Sequence, residues 1–167
     1  LDADLKDITG VREDTVLLGG YVEKNSNDTW YIPSTFTLTN SWSGSAQINI
    51  FSTSTAFVVG SLFIIYGTDS TKLYSYGGRI RLSVYYNGTQ YSATSAVLTT
   101  NEWKDIEFGV DSDNKPYLLI DGTTYLSSTA LPSGYSITNT SNPYSGSDHM
   151  HIANLRLGSE FDLYFEG

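Results

Sequence analysis

The residues able to do chemistry in this chain are few. His149 and His151 stand one residue apart, a spacing that on a strand projects both imidazoles from one face beside Asp148 and could ligate zinc. Two ligands leave such a site incomplete, and the chain has no third histidine. Asp111, Asp113 and Asn114 share a short stretch and carry the oxygen ligands calcium takes, as do Asp2, Asp4 and Asp7. Asx residues are equally good turn formers. There is no cysteine, so disulfides, thiolate metal sites and a cysteine nucleophile are all excluded. No Ser-His-Asp arrangement follows from the spacing. The sequons at Asn27, Asn87 and Asn139 are what a chain rich in Asn, Ser and Thr produces by chance. No cofactor is therefore required, and calcium at Asp111, Asp113 and Asn114 is the metal to look for.

What the chain does offer is rings, amides and hydroxyls. It has 13 Tyr, 3 Trp, 22 Ser and 19 Thr in 167 residues. Rigid rings stack on the apolar C–H faces of sugars, while amides and arginine bond to their hydroxyl rims. The net charge is −9. Phosphate recognition needs clustered Lys and Arg, so nucleic acid is excluded as a partner, and so are anionic membrane surfaces. The longest apolar run, Ala56–Tyr66, is broken by Gly60 and Ser61 and is too short for membrane insertion. No signal peptide is visible, and the chain opens on Leu1, as a mature form or an excised fragment does.

These side chains must be positioned by strands. Period-two alternation, with turn residues every 8–12 positions, marks strands over Thr15–Glu23, Thr29–Ile32, Thr35–Thr39, Ala46–Phe51, Thr55–Tyr66 and Lys72–Tyr76. Others follow at Arg79–Tyr86, Thr89–Thr94, Trp103–Val110, Pro116–Ile120, Thr123–Leu126 and His149–Leu157. Asp2–Val11 is the one helix candidate. Asn87-Gly88 and Asp121-Gly122 are type I′ hairpin dipeptides, because both central residues need φ > 0. With Asn87-Gly88 as the turn, Tyr85 faces Gln90, Val84 faces Tyr91 and Leu82 faces Ala93. Ile80, Leu82, Val84 and Tyr91 then form a core face, and Arg81, Tyr85 and Gln90 a solvent face. The same parity sends Ile48, Ile50, Ile106, Phe108 and Val110 inward, and Gln47, Asn49, Asp105 and Glu107 outward. An all-β antiparallel sandwich of jelly-roll type is expected. No linker or repeat divides it, so residues 1–157 form one domain. The remainder, 158–167, contains Leu163-Tyr164-Phe165-Glu166-Gly167. It resembles the viral protease site Glu-Asn-Leu-Tyr-Phe-Gln-Gly and reads as a vector-derived tail.

The candidate binding surface combines Arg81, Tyr85 and Gln90 with Tyr74 and Tyr76, which share a parity on the preceding strand. Gln47 and Asn49 are placed on a neighbouring strand, and Trp42 in the loop 40–44. Several of these rings could instead cover core edges.

From Trp103 the run Asn-Glu-Trp-Lys-Asp-Ile-Glu-Phe-Gly-Val, then Asp-Ser-Asp-Asn-Lys-Pro, then Tyr-Leu-Leu-Ile-Asp-Gly resembles the core of concanavalin A-like and laminin-G-like jelly rolls. The closing segment with Ile152, Asn154 and Arg156 is similar to their last strand. The Ser, Thr, Tyr, Gly and Asn flavour also resembles phage tail and bacterial surface adhesion modules. This resemblance implies a non-catalytic module that binds a polysaccharide or cell-surface glycan, extracellular, on a cell surface or on a virion, within a larger assembly. It leaves two rivals: a structural or protein-interaction module with no glycan site, and a glycan hydrolase or lyase. Glu160, Asp162 and Glu166 imitate the paired acids of laminarinase-type glycosidases. Their spacing differs, and a chain terminus cannot hold two carboxylates at the separation that catalysis needs.

Overall fold

Strands are the sole regular element among the described residues, as the alternation predicts. The computed structural model describes residues 16–18, 21–24, 29–30, 37–50, 60–66, 69–138, 144–145 and 150–157, with side chains described over 37–50, 69–75 and 77–138. In chain order the strands are β1 (Val16–Leu18), β2 (Tyr21–Lys24), β3 (Thr29–Trp30), β4 (Thr37–Thr39), β5 (Trp42–Ile50), β6 (Gly60–Tyr66) and β7 (Ser70–Tyr76). They continue as β8 (Arg79–Tyr86), β9 (Thr89–Thr94), β10 (Trp103–Val110), β11 (Pro116–Ile120), β12 (Thr123–Leu126), β13 (Ser136–Thr138), β14 (Tyr144–Ser145) and β15 (Met150–Leu157). The helix candidate Asp2–Val11 and the tail 158–167 lie outside the described residues. So do Asp2, Asp4, Asp7, Asp148, His149, and the sequons at Asn27 and Asn139.

One sheet has seven strands in the order β1-β2-β15-β5-β10-β11-β12, and a second has four, β6-β7-β8-β9. Two short ribbons pair β13 with β4 and β14 with β3. All pairings are antiparallel. The inner faces of the two large sheets meet in one core. Ile48, Ile106, Phe108 and Leu118 of the larger sheet pack with Leu73, Ile80, Leu82 and Val84 of the smaller. Each such side chain, removed from water, stabilises the fold by about 1.5–3 kcal/mol. Leu38, Ile137, Leu131 and Tyr135 belong to the same buried cluster. Among the described residues, no helix is long and apolar enough to cross a membrane.

Turn chemistry sets the register, and the two hairpins read from sequence are present. Asn87 and Gly88 have φ of 49° and 79°, and Asp121 and Gly122 have 49° and 80°. Tyr85 faces Gln90, Val84 faces Tyr91 and Leu82 faces Ala93. Gly77-Gly78, at 58° and 76°, makes a third turn of the same hand between β7 and β8. Alanine at Asn87 loses a residue type that tolerates the left-handed region. Asn87→Ala should therefore cost about 1 kcal/mol, a melting temperature lower by about 2–4 °C in a domain of this size. An unchanged melt would show that the turn does not constrain the hairpin.

Some boundaries moved. Thr15–Glu23, read as one strand, is divided between β1 and β2, which pair with each other. β5 starts at Trp42 rather than Ala46, so the stretch taken for a loop is strand.

Candidate functional site

The expected surface residues fall on two sheets. β7, β8 and β9 set Tyr74 opposite Arg81 and Arg81 opposite Thr94, with Tyr85 opposite Gln90 and Tyr76 opposite Arg79. Tyr74, Arg81, Tyr85 and Gln90 share the outer face of the four-stranded sheet, as their parity predicts, while the Tyr76 side chain lies outside the described ones. Gln47 and Asn49 do not neighbour them. They lie on β5, in the seven-stranded sheet, so the single surface expected from sequence is two surfaces.

On the four-stranded face, three of the expected groups, Arg81, Tyr74 and Gln90, are already engaged. Arg81 donates from Nε to Thr94 Oγ1 at 2.9 Å and from Nη1 to the Tyr74 hydroxyl at 3.4 Å. Lys72 Nζ lies 4.6 Å from the centroid of the Tyr74 ring, a cation–π contact. Burial there holds the Lys72 ammonium below its ordinary pKa. Tyr74 retains 7% exposure, so its ring is covered rather than displayed. Gln90 Nε2 donates to Ser83 Oγ at 2.8 Å. Tyr85, 46% exposed, is the ring this face presents among the described side chains.

Trp42 also departs from expectation. It opens β5 on the same parity as Gly44, Ala46 and Ile48, and therefore turns toward the core. Its indole N–H donates to the Tyr135 hydroxyl at 2.9 Å, and its ring meets Phe108 edge-on at 6.4 Å. A tryptophan held this way seals the sandwich rather than waiting in a loop for a ligand.

The outer face of the seven-stranded sheet gathers more of what sugar recognition needs. Asn49 is register partner to Trp103 on β10 and to His151 on β15, and His151 in turn to Glu23 on β2. Trp103 is 42% exposed. Asn49 Oδ1 is buried and accepts no hydrogen bond. One row along, Gln47 Nε2 donates to Asp105 Oδ1 at 3.0 Å. One row further, the Tyr117 hydroxyl donates to Glu107 Oε1 at 2.6 Å. Burial first, and then this bond to Glu107, raise the Tyr117 pKa well above the ordinary tyrosine range. Trp103 was missed as a surface residue although the signal was present. It has the parity of Asp105 and Glu107, whose outward direction is plain from the alternation. Lys104 between them has the opposite parity and is tied to Asp121 at 2.8 Å and Glu102 at 3.3 Å.

The calcium candidates form a turn. Asp111 Oδ1 accepts the backbone N–H groups of Asp113 and Lys115, each at 2.9 Å, and Asn114 takes φ of 60°. This is the Asx geometry that closes a β10–β11 connection. Among the described residues, no three His, Asp or Glu side chains gather where a metal could sit. Asp111 Oδ1 thus serves the turn, accepting both of these backbone donors.

Compared with known proteins, the sequence matches no family profile and no curated protein. The fold has clear counterparts among solved structures. Mouse laminin alpha1 chain, domains LG4-5, superposes with a TM-score of 0.65 at 13% identity, covering 85% of this chain and 42% of that one. The binding domain of botulinum neurotoxin serotype G gives 0.63 at 14% identity, covering 89% and 42%. The serotype D ligand binding domain in complex with N-acetylneuraminic acid gives 0.63 at 16% identity, covering 90% and 42%. The chain has the antiparallel jelly-roll fold that these laminin and toxin domains share. It spans about two-fifths of the length of these structures.

Proposed function

We propose that this jelly roll binds carbohydrate without cleaving it, on the outer face of the seven-stranded sheet around Trp103, Asn49 and Gln47. The observation that carries the reading is an indole 42% exposed, in register with Asn49 and one row from Gln47 on the neighbouring strand. The exposed part of such a ring gains from covering by the C–H face of a sugar, and amide side chains beside it match the hydroxyl rim. The fold supports a binding role, since the solved structures that share it include toxin binding domains, one in complex with a sugar acid. Binding without cleavage is supported by the surroundings of Asp105 and Glu107. Both are exposed and accept hydrogen bonds from Gln47 and Tyr117. A glycosidase acid needs an apolar pocket to stay protonated. Such a role places the protein in secretions, at a cell surface or on a virion, with a polysaccharide or surface glycan as partner.

The test is a glycan array probed with the full chain, followed by Trp103→Ala and Tyr85→Ala in parallel. Trp103→Ala should weaken binding at least tenfold, about 1.4 kcal/mol, and shift the melt by no more than a degree or two. If Tyr85→Ala removes binding and Trp103→Ala does not, the ligand sits on the opposite sheet. An array with no positive spot would defeat the carbohydrate reading outright.

A further inference from the structure

The charge on the Trp103 face selects among sugars. Resting on the carbohydrate reading above, we propose that this surface accepts neutral or amino-bearing glycans and turns away uronic, sialic and sulfated ones. Trp103, Asp105 and Glu107 occupy alternate positions of β10 and so share one side of the sheet. Successive members of that series are about 6.7 Å apart along the strand. A pyranose stacked on the indole therefore carries its substituents within about one residue spacing of the Asp105 carboxylate. Among the described side chains, two exposed carboxylates, Asp105 and Glu107, thus share the face with Trp103, in a chain whose net charge is −9.

The consequence for a ligand follows from Coulomb's law. A unit negative charge about 7 Å from a carboxylate binds roughly threefold more weakly even at the dielectric constant of water, and the factor grows beside a protein surface. Asp105 and Glu107 act together, so the expected discrimination against an acidic sugar is about tenfold at low salt. An ammonium group on the sugar experiences the reverse, with the indole adding a cation–π contribution. The Gln47–Asp105 and Tyr117–Glu107 hydrogen bonds hold the two carboxylates in place without neutralising them. The sugar acid in complex with the serotype D toxin domain is therefore the class of ligand this face disfavours.

The experiment uses matched oligosaccharide sets on an array: neutral glycans, their 6-carboxylate and sulfated counterparts, and amino-sugar counterparts. Each is read at low salt and near 1 M salt, where the Debye length shrinks to about 3 Å. Neutral and amino glycans should exceed their acidic counterparts at least tenfold at low salt, and the gap should close at high salt. Asp105→Asn with Glu107→Gln should abolish the discrimination, with a melt confirming that the exposed substitutions leave the fold intact. Acidic glycans that bind tightest and are lost with Trp103→Ala would overturn the selectivity while leaving the carbohydrate reading standing. Acidic glycans lost only with Tyr85→Ala would overturn it too, by moving the site to the other sheet. Absence of any glycan binding removes the carbohydrate reading and this inference with it.

Discussion

Gly109→Ala is expected to lower the unfolding free energy by about 3 kcal/mol, a large share of the roughly 5–15 kcal/mol typical of a domain. Gly109 lies within β10, opposite Ser43 on β5 and Tyr117 on β11. A Cβ built on it would overlap the Trp42 carbonyl oxygen and stand 2.9 Å from the Ser43 Cα. Both obstacles are backbone, so no side chain can swing aside. β5 and β10 must separate at the point where Trp42 seals the core. Gly88→Ala is the matched control, because nothing lies within 4 Å of its Cβ. It should cost only the left-handed strain of about 1–2 kcal/mol. Chemical denaturation of both variants measures the difference. A Gly109→Ala protein within 0.5 kcal/mol of the parent would mean that the β5–β10 approach is wrong.

Tyr135→Phe is the second large effect, about 2–3 kcal/mol. Tyr135 is 1% exposed, and its hydroxyl has two partners. It donates to the Asn40 carbonyl at 2.5 Å and accepts the Trp42 indole N–H at 2.9 Å. Phenylalanine keeps the ring and its edge-on contact with Tyr86 at 6.1 Å, but strands a carbonyl and an indole N–H. The same residue predicts an alkaline limit. Burial raises the Tyr135 pKa well above the ordinary value, with the Trp42 hydrogen bond opposing. The folded state therefore keeps its proton where the unfolded chain begins to lose it. That contribution is complete below pH ~10 and is lost as pH climbs beyond it, at up to about 1.36 kcal/mol per pH unit for each such tyrosine. Tyr117 acts in the same direction. Stability measured from pH 8 to 11 should fall less steeply in Tyr135→Phe than in the parent, and parallel curves would contradict the assignment.

How much of this was legible in the sequence depended on how local the information was. β8, β9, β10, β11 and β12 have the boundaries read from alternation, because Asn87-Gly88 and Asp121-Gly122 fix the register of their hairpins from within. β13 was missed because Ser136–Thr138 offers one buried side chain, Ile137, and no period can be read from one. Trp42 was misplaced for a related reason. Ser43, Gly44 and Ser45 conceal the alternation that continues from Ala46, so strand residues looked like a turn. Sheet membership was the deeper gap. Gln47 and Arg81 both point outward, but parity says only inward or outward. Which sheet a strand joins is decided by pairings such as β5 with β10, about 60 residues away in sequence, as in Gln47↔Asp105. The candidate site inherited that gap, and its members Arg81, Tyr85 and Gln90 came out on one sheet with Gln47 and Asn49 on the other.

The position of β15 between β2 and β5 gives the molecule a direction in time. β7, β8 and β9 close through two-residue turns, so their contacts are local and form early. The seven-stranded sheet cannot do this. Its strand β5 waits with one ladder unfilled until Met150–Leu157 arrives, a hundred residues later in synthesis. During translation the nascent chain thus carries a finished hairpin meander beside a sheet with a missing central strand, whose two exposed ladders invite pairing with other chains. Refolding of the intact chain should accordingly show the β7–β9 amides protected from hydrogen exchange before those of β5. A ribosome-bound chain stalled before Met150 should be the species that holdase chaperones capture.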